Sequence, residues 1–328
     1  MANLSLTLAC GPYDRTEALR NGAVQLEGID LNYLAIQSPP EIFARMVSKQ
    51  SFDVSEMSCS HYLVARSKGE FPFLALPVFP SRLFRHGFIF VNVKSGILKP
   101  RDLEGKRIGV PEYSQTAAVW IRGILQNDYG VDLSGVRWFA GGVNGYGRPE
   151  VLRLIPEGEL SLDFIGDQRT LNEMLVAGEI DALIGARIPS SFGTNPDIQR
   201  LFPDYREEEK QYYRRTGIFP IMHTLVIKED LYQRHPWIAE TLYKGFVESK
   251  QWIIKQMRFS GASRYMLPWL QYDLDEMEEL FGKDPWPYGL EPNRKNLETL
   301  AAYLAQQRFV PQAPSIDEMF LPVVTVGE

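Results

Sequence analysis

Cysteine is nearly missing from this chain of 328 residues: only Cys10 and Cys59 occur, too few for a disulfide framework and without the paired spacing of a metal site. Both are read as buried, reduced thiols. Histidine is almost as scarce. His61, His86, His223 and His235 are scattered, with no HxH or HExxH grouping, so no metal is expected. Basic charge is not in excess, since 41 acidic residues against 35 basic ones leave a net −6. That balance, without a long basic run, argues against nucleic acid or an anionic membrane as a partner. No apolar run approaches the roughly 20 residues that cross a bilayer. The opening MANLSLTLACGPYDR carries no cationic leader before its short apolar run, as expected of a cytoplasmic chain. A P-loop, a GxGxxG after a strand and a nucleophile elbow are all lacking. The common nucleotide-cofactor and serine-hydrolase readings fall with them, and no organic cofactor is expected.

What is present is an ordinary globular composition, 45% apolar and 12% aromatic, in a chain long enough for two lobes. Apolar strand-like runs at 4–9, 29–35, 53–57 and 73–78 alternate with helical patterns over 13–21 and 39–47 and one ending near 65. A second set has strands at 107–110, 135–140 and 180–184 and ends near 215. Such alternation predicts βαβ units in mostly parallel sheets, an α/β fold. The segment IMHTLVIKEDL reads as a further strand. Helix follows it, with Pro236 in a first turn and Ile238, Leu242, Phe246 and Ile253 on one face. The proline-rich stretch 311–322 reads as a surface strap. Crossings near 91–96 and 219–226 divide the chain into lobe 1, residues 1–95 plus 220–328, and lobe 2, residues 96–219, with a ligand cleft expected between them. Two segments echo each other: FARMVSKQSFDVSEM and LNEMLVAGEIDALIGA each read as a helix, a polar turn, an apolar residue, Asp and a strand. The echo points to duplicated architecture rather than a solenoid, which needs at least three units.

In parallel sheets the residues just after each strand carry the chemistry. Those positions hold Tyr13, Asp14 and Arg15, then Glu56, Met57 and Ser58, then the stretch 80–86, and in the other lobe 112–116, 141–148 and 186–189. GKRIGVPEYSQTAAVW stands out, because an apolar run breaks at Pro111 and reopens as a helix whose start carries Ser114, Gln115 and Thr116. Unpaired N–H groups and the positive end of the dipole make that start a seat for a small carboxylate; simple capping by Ser114 or Thr116 is the alternative. Behind it Ala117, Trp120, Ile121, Ile124 and Leu125 follow the spacing of one buried face. FPSRLFRHG sets Arg82, Arg85 and His86 between apolar runs, and Arg187 ends the ALIGA strand. Cations so placed need acids or an anion, and guanidinium groups grip carboxylates bidentately. His86 and His223 lie near the two crossings and are candidates for proton transfer, with Glu56 or Glu112 as orienting carboxylates or acids.

Taken together, FDVSEMSCSHYL, PVFPSRLFRHG, GKRIGVPEYSQTAAVWIRGIL, AGEIDALIGARIP and TGIFPIMH closely resemble the 4,5-dihydroxyphthalate decarboxylase family, over essentially the whole chain from ACGPYDRTEALR onward. The resemblance implies a two-lobed, type 2 periplasmic-binding-protein-like fold recruited as a cytoplasmic carboxy-lyase that turns a catechol dicarboxylate into protocatechuate and CO2. For that chemistry Arg82, Arg85, Arg187 and the Ser114–Gln115–Thr116 turn would hold the spectator carboxylate. His86 or His223 with Glu56 or Glu112 would move protons, and Tyr13, Phe84, Tyr113 and Phe219 would wall the ring; Arg15 joins Tyr13 as a substrate contact. The expected partner is a small aromatic carboxylate, and self-association into a homo-oligomer stays open. The rival reading is a solute receptor or sensor that binds an aromatic or other carboxylate without turnover.

Overall fold

The computed structural model describes residues 2–69, 71–147, 151–152 and 154–324; Arg148, one of the candidate positions after a strand, lies outside them. The strands in chain order are β1 Leu4–Cys10, β2 Ile29–Ala35, β3 Val54–Ser58, β4 Phe73–Arg82, β5 Ile89–Asn92, β6 Arg107–Val110, β7 Arg137–Ala140, β8 Leu162–Phe164, β9 Ala182–Ile184, β10 Ile198–Arg200 and β11 Ile221–Lys228. They form two sheets, one ordered β2-β1-β3-β11-β4 and the other β10-β5-β9-β6-β7-β8. Parallel pairs dominate, but β11 runs antiparallel to β3 and β5 antiparallel to β9.

Around these sheets the chain divides into two compact units. The first comprises Met1–Ser81, His223–Leu297 and Ser315–Glu328, the second Arg82–Met222 and Glu298–Pro314. The first division falls earlier than 95/96 because β5 pairs with β9 and β10, which commits the chain to the second sheet before residue 95, and the second falls later than 219/220, between Met222 and His223 within β11. The late exchange at 298–314 leaves no mark in periodicity, since one helix, Arg294–Gln306, carries the chain across it.

In the second unit the sheet is covered on both faces, so successive strand residues go to different cores. Ile89 and Val91 join the cluster holding Ile108, Val110, Ile121 and Trp138, while Phe90 joins Leu171, Met174, Leu175 and Leu183. The helix Thr116–Tyr129 forms where expected and stops at Gly130 in left-handed conformation, φ 63°. It corrects the expectation of one buried face, because every residue from Thr116 to Leu125 is buried. Its second face lies under Tyr303, whose ring stacks edge-on to Trp120 at 5.4 Å, and Gly123 gives the space: a Cβ there would stand 2.0 Å from Tyr303.

The sequence echo has a physical counterpart. In the first unit the helix Pro39–Lys49 leads to Asp53, whose carboxylate accepts from the Thr7 N–H at 2.9 Å while its own N–H donates to the Thr7 carbonyl. In the second, Leu171–Ala177 leads to Asp181, which exchanges the same two bonds with the backbone of Arg107, again with 2.9 Å from N–H to carboxylate. Each aspartate fixes the start of its strand beside the neighbouring parallel strand.

Candidate active site

The duplicated frame supplies an internal control. Three residues beyond Asp181 comes Ile184, an apolar core residue paired with Ile89; three beyond Asp53 comes Glu56, paired with Leu225. An ionisable side chain thus replaces an aliphatic one in mid-sheet, fully buried at 0% exposure. Buried carboxylates persist only with hydrogen-bond donors around them.

Four donors converge on it. His223 sits on β11 opposite Ser58, which makes Glu56, two positions along β3, its diagonal neighbour on the same face. Nδ1 of His223 stands 2.5 Å from Oε1 of Glu56. The Tyr13 hydroxyl donates to the same oxygen at 2.6 Å. From the end of β1 the Gly11 N–H donates to Oε2 at 2.9 Å, and the Cys10 thiol points to it at 3.5 Å. Burial alone would raise the Glu56 carboxyl, but the charge of His223 and the bonds from His223, Tyr13 and Gly11 outweigh it and hold the group below its usual range. Burial, reinforced by the Glu56 charge, pushes Tyr13 and Cys10 up, so both stay protonated donors.

With Glu56 ionised, Nδ1 of His223 carries the proton, which assigns the tautomer and leaves Nε2 for exchange. Nε2 has no hydrogen-bond partner among the described residues, and the side chain keeps 19% exposure. Phe43 packs edge-on to the ring at 5.0 Å and fixes its plane. Tyr13 folds back over Gly11 so closely that a Cβ there would stand 2.7 Å from its ring. Beside it the Arg15 guanidinium lies between two aromatic faces, 4.3 Å from the Tyr13 centroid and 4.1 Å from that of Trp286. Its Nε donates to the Pro80 carbonyl at 2.6 Å and Nη1 to Asp14 at 3.0 Å; Nη2 has no partner among the described residues.

The structure therefore gathers Tyr13, Arg15, Glu56 and His223 in the first unit. The other candidates belong to the second. Arg82 and Arg85 are both buried; Arg82 faces the Phe219 ring at 5.9 Å, and Phe219 stacks on Phe84 at 4.7 Å. Burial pulls Arg85 down to about 9, partly opposed by Glu209, whose carboxyl burial pushes up to about 7. Arg187 is exposed. Glu112 accepts from the Ser114 hydroxyl at 3.0 Å, and Tyr113 packs under Arg122 at 3.8 Å. Gln115, not Ser114 or Thr116, is the residue capping the helix Thr116–Tyr129, and it caps without a side-chain bond.

The two candidate histidines have different surroundings. His86 is 1% exposed, ringed by Tyr212, Phe202 and Tyr129 at 5.2, 5.5 and 6.1 Å, and neither ring nitrogen has a partner among the described residues. Burial, then the charge of Arg215, brings it down to about 4, so it is neutral at ordinary pH. Among the described residues no carboxylate accepts from its ring. Cys10, Gly11, Phe43 and Trp286 were not among the sequence candidates. Only the position of Cys10 and Gly11 at the end of β1 marks them in advance, since Phe43 and Trp286 arrive from distant segments.

Among the described residues no three His, Cys, Asp or Glu side chains are grouped to hold a metal ion, and no helix is long and apolar enough to cross a membrane. No family model matches the chain. Similar solved structures include the alkanesulfonate-binding protein of Xanthomonas axonopodis pv. citri, 12% identical with a TM-score of 0.54 over 99% of this chain and 100% of that one. The periplasmic aliphatic sulphonate binding protein of Escherichia coli is 9% identical with a TM-score of 0.54 over 97% and 98%. These establish a periplasmic-binding-protein fold and nothing finer. In sequence the chain is 41% identical over 295 residues, 89% of each chain, to the 4,5-dihydroxyphthalate decarboxylase of Comamonas testosteroni. It is 40% identical over 215 residues, 65% of this chain and 83% of the other, to that of Pseudomonas putida. Identity of this order across both units, more than three times that shared with the sulfonate binders, is descent within one group of enzymes: the chain belongs to the 4,5-dihydroxyphthalate decarboxylase family.

Proposed function

We propose that this protein removes one carboxylate of 4,5-dihydroxyphthalate as CO2 to leave protocatechuate, with His223 moving the proton and Glu56 holding the imidazole. The observation that carries the reading is the buried Glu56 carboxylate with its donors His223, Tyr13, Gly11 and Cys10, set in a strand position that the sister sheet fills with Ile184. Loss of CO2 from an aromatic ring needs a sink for the departing electron pair. The hydroxyl para to the leaving carboxylate pushes electrons toward the carbon that bears it, and that carbon takes up a proton. The C–C bond then breaks, its pair restores the ring, and neutral CO2 leaves; one proton is consumed overall. Glu56 stabilises the imidazolium of His223, which gives its Nε2 proton to the ring carbon and is then recharged from solvent.

Arg15 is assigned to the spectator carboxylate: its Nη2 has no partner among the described residues, and its plane is held by Tyr13 and Trp286. No organic cofactor enters these steps. The Cys10 thiol must be reduced to donate to Glu56, which suits the cytoplasm.

The decisive test is to incubate the purified protein with 4,5-dihydroxyphthalate in deuterium oxide. Protocatechuate bearing deuterium at the vacated carbon is expected; tight binding with neither CO2 nor product would make the protein a receptor or sensor. For the second unit, Arg82→Ala and Arg187→Ala should each weaken substrate binding by about one to two powers of ten if those arginines grip carboxylate. Parental affinity in both would remove them from the site.

A further inference from the structure

The turn that follows β1 supplies two of the donors on Glu56, the Gly11 N–H and the Tyr13 hydroxyl, yet its own backbone has little to hold it. The Cys10 carbonyl accepts from the Ile36 N–H at 3.1 Å and the Tyr13 carbonyl from the Thr16 N–H at 3.3 Å. Between them Gly11 and Pro12 make no backbone–backbone bond among the described residues. Gly11 brings the conformational freedom of glycine, and Pro12 has no N–H to donate.

The missing restraint arrives from β2. Tyr33 pairs with Leu8, and Leu8 with Val54, so Tyr33, Cys10 and Glu56 lie on one face of the sheet, with His223 on the same face of the next strand. The Tyr33 hydroxyl donates to the Gly11 carbonyl at 3.0 Å and stands 2.8 Å from the Thr16 hydroxyl, which donates on to the Tyr13 carbonyl at 3.1 Å. Tyr33 thus ties the carbonyl before Pro12 directly and the carbonyl after it through Thr16. Burial, then the neighbouring Cys10, pushes the Tyr33 hydroxyl up, so it stays a protonated donor. The other titratable groups acting on Glu56 are His223 on β11 and Tyr13 and Cys10 on β1 and its turn, with Arg15 bearing on the last two; Phe43, from the helix Pro39–Lys49, adds only a ring.

We propose that Tyr33 is a positioning residue for the decarboxylation: it makes no hydrogen bond to Glu56 or His223 among the described residues, but its hydroxyl holds the Gly11–Thr16 turn so that the Gly11 and Tyr13 donors stay on the Glu56 carboxylate. The role rests on the catalytic reading of the Glu56–His223 pair. Without that hydroxyl the turn gains freedom, both donor bonds are made less often, and the ionised carboxylate loses part of its stabilisation.

Tyr33→Phe keeps the ring and removes the hydroxyl. The first readout is the NMR titration of the His223 ring, assigned among the four histidines by comparison with His223→Gln, because its acid inflection reports protonation of Glu56 whether or not substrate is turned over. That inflection should move up by about half a pH unit to one unit. With 4,5-dihydroxyphthalate the acid limb of the rate profile should follow it, and kcat should fall about 3- to 10-fold with KM little changed. Failure of the parent to form product would end the catalytic reading and leave the hold on Glu56 to be judged by NMR alone. Tyr62→Phe controls for destabilisation: its hydroxyl, buried in the same unit, donates to the Met319 carbonyl and accepts from the Ala75 N–H, and its loss should leave the inflection in place. Should Tyr33→Phe fail to fold by circular dichroism, Thr16→Val decides, since it breaks the bond to the Tyr13 carbonyl while keeping the shape, and it should move the inflection in the same direction. An unmoved inflection in folded Tyr33→Phe, or in Thr16→Val where that variant decides, an equal movement in Tyr62→Phe, or an unmoved rate profile in a protein that turns over would each overturn the proposal.

Discussion

Nδ1 of His223 and Oε1 of Glu56 lie 2.5 Å apart across the antiparallel pair β3–β11, a diagonal contact between residues 167 positions apart in the sequence. Among the described residues neither has a second acid or base to replace its partner: Tyr13, Gly11 and Cys10 donate to Glu56. The pair should therefore behave as one device. His223→Ala is expected to lower kcat by about 10² to 10⁴-fold with little change in KM, and Glu56→Gln to fall in the same range. The double variant should be little worse than the poorer single one. Steady-state rates of protocatechuate formation check this, and fully multiplicative losses would separate the two roles.

Tyr13→Phe removes one donor from the Glu56 carboxylate and leaves the ring that covers Gly11 and Arg15. A hydrogen bond to a charged acceptor contributes about 1.5–3 kcal/mol, so kcat should fall at least tenfold. Because the lost bond favoured the ionised carboxylate, Glu56 rises in pKa and the acid limb of the pH–rate profile moves to higher pH. An unmoved limb would detach Tyr13 from the titration.

For His86 the expectation concerns stability. Its folded pKa of about 4 lies below the ordinary histidine value, so between roughly pH 6.5 and 4 the unfolded chain binds the proton more readily and stability falls as pH falls through that window. His86→Phe keeps an aromatic ring among Tyr129, Phe202 and Tyr212 and cannot be protonated. The variant should lose about 2–3 kcal/mol less than the parent on acidification across that window, while kcat at neutral pH stays within a few-fold. Thermal melts at pH 7, 5.5 and 4 read the first, and a hundredfold loss of kcat would return His86 to the chemistry.

Gly123→Ala should be among the costlier small substitutions, because its methyl would meet Tyr303 at 2.0 Å inside a helix buried on both sides. Overpacking of this kind costs about 1–3 kcal/mol, visible as a lowered Tm. Gly123→Ala with Tyr303→Leu should recover part of it.

Much of this architecture was legible because its signals are local. The alternation of strand and helix, and the repeated helix–turn–Asp–strand segment, are short-range patterns, and the two aspartates were visible before their backbone bonds were. Glu56 was singled out for a related reason: it stands at the far end of a strand-like run, where parallel sheets carry their chemistry, although it lies within the strand itself. The surroundings of His86 were not legible, since Tyr129, Phe202 and Tyr212 come from three distant segments and a histidine between apolar runs reads alike in a site or in a core. Arg122 was hidden for the opposite reason. It stands in a helical pattern where an arginine ordinarily faces water, and only the return of Gln307 and Tyr303 closes the surface above it.

The passage of Glu298–Pro314 through the second unit has a bearing on synthesis. As the chain leaves the ribosome, the sheet β5–β10 emerges with most of its core, but the helix Thr116–Tyr129 keeps its Tyr303 face open and Arg122 keeps its Nε without Gln307 until residues Tyr303 and Gln307 have themselves been made. Domains ordinarily complete in order from the N-terminus at about 5–20 residues per second. Here neither unit can, for the first waits on Ser315–Glu328 and the second on the segment just before it. A nascent chain stalled or cut near residue 297 would lack the closing segments of both units at once, so premature termination should yield no half-molecule that survives as a stable fragment.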